Sequence, residues 1–228
     1  MRGAVFDLDG TLADTSADLI AGANAALAEA GARGRLDLRT DGGLSGRGGR
    51  AMLRMGFTRS GLPETEIEAA VEAAFAPFLS AYEARIADAS VLFPGVEAAL
   101  DALEGAGWRL AVCTNKPERL ARILLEKLGL LDRFGAIVGA DTLPVRKPDP
   151  RPFRHAAEGA GAVAARSVMI GDTVTDRETA RAAGVPSVLM DLGVSADDVH
   201  ALGAAVVLPA WSHLPGALEA LAPVHGAA

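Results

Sequence analysis

Short apolar runs alternate along this chain with amphipathic stretches of helical period, and that alternation leaves few folds open. Ala4-Val5-Phe6, Leu110-Ala111-Val112-Cys113 and Val168-Met169-Ile170 are apolar throughout, as strands covered on both faces of a parallel sheet must be. We read strands over Gly3–Leu8, Trp108–Cys113, Ala136–Val138, Ser167–Ile170 and Ser187–Met190, with a weaker sixth over Ala205–Leu208. Helices are expected near Val96–Glu104, Glu118–Leu128, Pro152–Gly161, Thr175–Ala183 and Leu214–Leu221. Strands spaced by helices imply an α/β protein, a doubly wound parallel-sheet core of Rossmann-like type.

The alternation breaks between about Asp14 and Ala89. Ser16–Ala30 and Glu64–Ala87 are helical by pattern and rich in Ala, the best helix former. Asp41–Gly49 is Gly-rich, Gly48 precedes another helix, and no strand-like run occurs in the interval. A helical cap inserted after the first strand accounts for this. Residues 14–89 would form the cap, and residues 1–13 and 90–228 the core, with Pro223–Ala228 a frayed end.

Four polar groups fall where strands end. They are Asp7 and Asp9; Thr114-Asn115-Lys116; Lys147-Pro148-Asp149-Pro150; and Gly171-Asp172-Thr173-Val174-Thr175-Asp176. In a parallel sheet these ends share one edge, where ligands bind. Paired carboxylates there suit a hard, oxygen-preferring cation such as Mg²⁺ and suit phosphoryl transfer. Asp7 would attack phosphorus, and Asp9 would protonate the leaving oxygen and then deprotonate water. Thr114, Asn115 and Lys147 are the candidate phosphate ligands, and Asp7 and Asp172 candidate metal ligands. Any one of these groups alone is an ordinary turn; four in order at strand ends are not.

Bulk properties narrow the class. The formal net charge of −7 argues against nucleic acid or an anionic membrane as partner. A single cysteine, Cys113, rules out an intramolecular disulfide, and no apolar run reaches membrane-span length. A cytoplasmic location is expected, because no basic region precedes an apolar stretch at the N-terminus. Only three of 22 basic residues are lysines, Lys116, Lys127 and Lys147, and a lysine kept in so Arg-rich a chain suggests a wanted point charge. Cys113 and Trp108 read as core. His155 reads as surface, and His155, His200, His213 and His225 lack metal-ligand spacing. Arg177 and Glu178 read as a local pair.

The constellation resembles the haloacid dehalogenase superfamily over nearly the whole chain. The resemblance makes Asp7 the nucleophile that forms an aspartyl-phosphate and Asp9 the general acid/base. It adds Asp176 and the backbone carbonyl of Asp9 to the metal set of Asp7 and Asp172. A dehalogenase would lack Asp9, and a phosphonate-cleaving member would need a cap lysine that residues 14–89 do not contain. Thr11 favours phosphatases over hexose-phosphate mutases. Thr114-Asn115-Lys116-Pro117 with Lys147-Pro148-Asp149-Pro150 is most similar to phosphoglycolate phosphatases, implying a small phosphorylated metabolite, 2-phosphoglycolate first. A sugar-phosphate mutase or a pyrophosphatase of the same superfamily is the alternative. Gly46-Arg47-Gly48 resembles the cap loop of those phosphatases with Arg in place of the usual Asn. Arg47 can clamp a carboxylate or second phosphate or lie idle on the surface, and Lys116 can reach cap or substrate. A monomer and a homodimer are both compatible with the sequence.

Overall fold

The structure, a computed structural model, describes residues 1–221; Pro223–Ala228, and His225 with them, lie outside the described residues. The strands are β1 (Gly3–Phe6), β2 (Ala13–Asp14), β3 (Val91–Leu92), β4 (Arg109–Cys113), β5 (Ala136–Val138), β6 (Ser167–Gly171), β7 (Ser187–Met190) and β8 (Val206–Leu208). The helices are α1 (Ser16–Glu29), α2 (Leu38–Asp41), α3 (Gly49–Arg59), α4 (Glu64–Glu83), α5 (Val96–Gly105), α6 (Glu118–Lys127), α7 (Pro150–Gly159), α8 (Val174–Ala183) and α9 (Leu214–Leu221).

Six strands form one parallel sheet in the order β5-β4-β1-β6-β7-β8. The chain starts mid-sheet, moves outward through β4 and β5, then returns across β1 to continue through β6, β7 and β8. Reversal of direction beside β1 opens a crevice at the strands' carboxyl ends. Register carries this into the site: Phe6 is level with Val112 and with Ile170, so Asp7 leaves the sheet beside the ends of β4 and β6. Successive β1 residues serve opposite faces. Ala4 and Phe6 pack with α5, α6 and α9 residues such as Leu100, Leu124 and Leu218, whereas Val5 packs with Phe153 of α7 and Ala180 of α8.

The strands and helices read from the sequence are present, with β2 and β3 as two-residue additions, and the ends differ for local reasons. β1 stops at Phe6 rather than Leu8 because the Leu8 carbonyl accepts from Thr11, Leu12 and Ala13 in a tight turn. α7 starts at Pro150 instead of Pro152, since the Asp149 side chain caps it and Pro suits the first helical position. α8 starts at Val174 behind a reciprocal capping box of Thr173 and Asp176. Between β2 and β3, α1, α3 and α4 pack together. The Gly-rich stretch tightens into a 3₁₀ helix, Gly42–Arg47, and the short α2 is an element the sequence reading lacks. Antiparallel pairing of Ala13 with Leu92 and Asp14 with Val91 joins the two crossings.

Candidate active site

The turn after β1 is built to present carboxylates. The Asp7 backbone amide still donates to the Ile170 carbonyl at 2.8 Å, which pins the residue to the sheet edge. Gly10 lets the chain turn back: its φ is +82°, and a Cβ there would stand 2.5 Å from Asp172 Oδ2. Thr11, in the same turn, donates its hydroxyl to Asp172 Oδ1 at 2.6 Å. Sequence, turn and active-site carboxylate are therefore one unit.

Three buried carboxylates meet one buried lysine. Asp7, Asp172 and Asp176 each offer an oxygen within 4.8 Å of the others. Lys147 Nζ donates to Asp176 Oδ1 at 2.6 Å and lies 3.0 Å from Asp7 Oδ1. The other Asp176 oxygen accepts from the Thr173 amide and hydroxyl, so both are engaged. Burial pushes the Asp7 carboxyl up to about 6, against the pull of Lys147 and with a further push from Asp176 and Asp9. Burial also lifts Asp172 well above the carboxylate range, with Asp176 and Asp7 adding repulsion. Burial opposes the Lys147 charge, but Asp176 and Asp7 outweigh it and hold the ammonium firmly protonated.

This cluster fits a divalent cation. Asp7 Oδ1 and Asp172 Oδ2 are buried without a hydrogen-bond donor aligned on them, an arrangement proteins avoid unless something else satisfies the group. The donors are hard oxygens, and one lysine leaves three carboxylates under-compensated.

The Asp9 carboxylate stands apart from the Asp7, Asp172 and Asp176 cluster, and the metal contact expected of Asp9 is through its backbone carbonyl. Its carboxylate faces the helices and accepts from Thr15 Oγ1 at 2.6 Å and from Lys116 Nζ at 2.7 and 2.9 Å. Lys116 is itself buried and lies 4.4 Å from the centre of the Tyr82 ring on α4. Burial opposes its charge, yet Asp9 and Tyr82 more than offset that and raise it. Lys116 thus reaches both the helices and Asp9. Thr114 is buried at the end of β4, and its hydroxyl accepts from the Lys116 amide at 3.2 Å. Asn115 donates its side-chain amide to the Lys147 carbonyl at 3.1 Å, so in this structure it braces the lysine loop.

Asp7, Asp9, Thr114, Asn115 and Lys116 open onto a cavity of about 320 Å³. α4 supplies an apolar wall of Phe75, Phe78, Leu79 and Tyr82, and Ser45, Gly46, Arg47 and Gly48 form part of the rim. Arg47 Nη2 donates to Asp197 Oδ1 at 3.0 Å. Asp197, Thr15, Tyr82 and Ser195 are residues that sequence reasoning missed. Asp197 and Ser195 follow β7, so the strand-end rule that found the other groups could have found them.

Residues assigned lesser parts also fall into place. Cys113 is buried, and burial pushes its thiol up to about 12. Trp108 is core, with its indole donating to Glu219. His155 and His213 are exposed, and His200 lies 3.0 Å from Asp191. Arg177 and Glu178 do not pair: Arg177 donates to the Gly203 carbonyl and Glu178 accepts from Arg181.

A parallel-sheet edge that gathers buried carboxylates, a lysine and a threonine around one cavity defines a Rossmann-like enzyme of phosphate chemistry. The chain belongs to the haloacid dehalogenase-like hydrolase family, whose model matches residues 1–184. It is 42% identical over 214 residues to a phosphoglycolate phosphatase of Caulobacter vibrioides, covering 93% of this chain and 88% of that one. A phosphoglycolate phosphatase of Agrobacterium fabrum is 43% identical over 217 residues, covering 94% and 91%. Among solved structures, a hydrolase from Pseudomonas syringae superposes with a TM-score of 0.75 at 26% identity, covering 97% of this chain and 100% of that one. A predicted phosphoglycolate phosphatase from Haemophilus somnus superposes at 0.81, with 24% identity and coverage of 94% and 96%. The chain is an enzyme, a phosphoric monoester hydrolase, and phosphatases of this family generally use a divalent metal. No helix among the described residues is long and apolar enough to cross a membrane.

Proposed function

We propose that this enzyme is a cytoplasmic, Mg²⁺-dependent phosphatase that hydrolyses a small phosphate monoester, 2-phosphoglycolate first, through an aspartyl-phosphate. The observation that carries the reading is the buried Asp7, Asp172 and Asp176 cluster joined to Lys147. An Asp7 oxygen attacks phosphorus, and Asp9, once it turns from Lys116 and Thr15, gives a proton to the departing ester oxygen. Water then attacks the aspartyl-phosphate, Asp9 takes its proton, and Asp7 and inorganic phosphate are regenerated. Lys147 and the Thr114 hydroxyl meet the phosphoryl oxygens where charge gathers in the transition state. Asp7, Asp172 and the Asp9 carbonyl would hold Mg²⁺, which would supply the remaining positive charge. Asp176 serves that set by fixing Lys147 and the Thr173 loop.

Residues 14–89 act as a cap over the core of 1–13 and 90–228, closing the cavity against water. Within it, Arg47 is the cation that receives the substrate's carboxylate, and Gly46 and Gly48 let its loop lie close to the core. The names of the curated relatives support glycolate as the leaving group.

Phosphate release from a panel of 2-phosphoglycolate, hexose phosphates, nucleotides and pyrophosphate, with and without Mg²⁺, tests the reading. We expect 2-phosphoglycolate to be preferred, chelator to stop release, and Asp7→Asn to lower kcat about 10³-fold or more with the fold intact. Turnover retained in Asp7→Asn would sink the mechanism. Isomerised hexose phosphate without free phosphate would make the enzyme a mutase, and preference for pyrophosphate would move it to that substrate.

A further inference from the structure

Arg47 stands alone among the rim residues as a half-exposed cation, its side chain 54% accessible. An arginine so placed has many rotamers and loses side-chain entropy when a ligand fixes it. Here it is not left to wander, because Asp197 takes one of its five N–H groups. Asp197 is only 12% accessible and is itself held from two sides. Its other oxygen accepts from the Val174 amide, the first residue of α8, at 2.9 Å. Its own amide donates to Ser195 Oγ at 3.2 Å, and that hydroxyl donates to the Asp172 carbonyl at 2.8 Å.

The backbones of the two loops are also fitted to each other. A Cβ on Gly43 would stand 3.0 Å from the Ala196 nitrogen, and one on Gly46 would stand 3.2 Å from Thr173 Cγ2. Both glycines belong to the 3₁₀ segment that ends in Arg47. Contacts this close place the Arg47 loop in one position against residues 195–197 and 173. Hydrogen bonds then run without a gap from the Asp172 backbone through Ser195 and Asp197 to the Arg47 guanidinium.

We infer that Asp197 is a positioning residue for substrate specificity: it holds Arg47 at the cavity rim in fixed register with the reacting centre, so that a phosphate ester bearing a carboxylate can bridge the two. The inference rests on Arg47 as the carboxylate's partner in the function proposed above. It assigns Asp197 no contact with substrate and no part in the bond-making steps. A carboxylate held by a helix start and a neighbouring hydroxyl is a better anchor than a free surface one, since its own ordering is already provided. One guanidinium N–H goes to Asp197, which leaves others for the ligand.

The test compares 2-phosphoglycolate with ethyl phosphate, which has a methyl group where the carboxylate would be. For wild type, Arg47→Ala, Asp197→Ala, Asp197→Asn and the Arg47→Ala/Asp197→Ala double variant, the readout is the ratio of kcat/KM for the two esters. We expect wild type to favour 2-phosphoglycolate and Asp197→Ala to lower the ratio about tenfold, through KM rather than kcat, as weakening one charged contact should. Asp197→Asn, which still accepts from Val174, should lose less. The double variant should be no worse than Arg47→Ala, because both act on one contact. A ratio kept by Asp197→Ala, or an Asp197 effect that adds in full to that of Arg47, overturns the inference alone. Wild type with no preference between the esters overturns the substrate reading and the inference together. Circular dichroism and thermal unfolding of each variant separate loss of fold from loss of preference.

Discussion

Asp172 shows at the residue scale how the site is held at a cost to stability. Thr11 grips one of its oxygens and the other is buried without a donor. Burial, then Asp176 and Asp7, raise its pKa well above the ordinary value of 3.8. A carboxyl with a raised folded-state pKa penalises the fold once pH exceeds the unfolded value, and the penalty grows until the folded pKa is passed. Replacing it by the neutral isostere removes that penalty. Asp172→Asn should therefore raise the Tm of metal-free protein at pH 7 by about 2–4 °C, the equivalent of about 1 kcal/mol for a chain of this size. The gain should shrink as pH approaches 4. The same variant should lose the stabilisation that added Mg²⁺ gives wild type, as well as its activity. Thermal unfolding with and without metal checks all of this, and a lower metal-free Tm at pH 7 would contradict the account.

Elements carry their own electrostatics. Asp41 closes α2 and is bound by Arg59 at the end of α3, at 2.6 and 2.8 Å. The hydrogen bond from Arg59 holds the Asp41 carboxyl down at about 2, against an ordinary 3.8. A depressed pKa contributes stability that is complete above 3.8 and lost as pH falls towards 2. Arg59 is 39% accessible, so solvent screens the pair and its share is about 1 kcal/mol. Asp41→Asn should lower Tm at pH 7 and make no difference at pH 2, and an equal loss at both would place the effect elsewhere. α2 was not legible in the sequence, because it is a single turn made by this pairing and by the Asp37 cap rather than by apolar period. The sheet was legible because buried parallel strands must be apolar throughout, and Asp7, Thr114, Lys147 and Asp172 because strand ends converge. Which way each side chain turns was not. Asp9 turns towards Lys116 and Asn115 towards the Lys147 loop because of partners far away in the chain, and spacing holds no record of those.

At the scale of the whole molecule, two crossings tie the helices α1, α3 and α4 to the sheet. Asp18 of α1, 3% exposed, clasps the second crossing. Its carboxylate accepts from the Ala89 amide at 3.1 Å, the Ser90 amide at 2.8 Å and the Ser90 hydroxyl at 2.6 Å. Nearby, Ala87 holds the left-handed φ of 66°, a conformation that costs a non-glycine residue about 1 kcal/mol or more. Lys127 of α6 donates to the Ile86 carbonyl at 2.9 Å. The crossing is thus held by its surroundings, and Asp18 meets two of its amides. Asp18→Ala strands the buried Ser90 N–H and hydroxyl and frees the more exposed Ala89 N–H, which should destabilise the protein by about 1–3 kcal/mol. Asp18→Asn keeps one acceptor oxygen and should lose less. If Asp18 fixes how α1 and α4 stand over Asp7, the loosened crossing should also raise KM more than it lowers kcat, because the cavity walls Leu79 and Tyr82 belong to α4. Hydrogen exchange at Ala89 and Ser90 reads the clasp directly. Faster exchange there with a raised KM is the expected result, and unchanged protection of both amides in Asp18→Ala would show that something other than Asp18 holds the crossing.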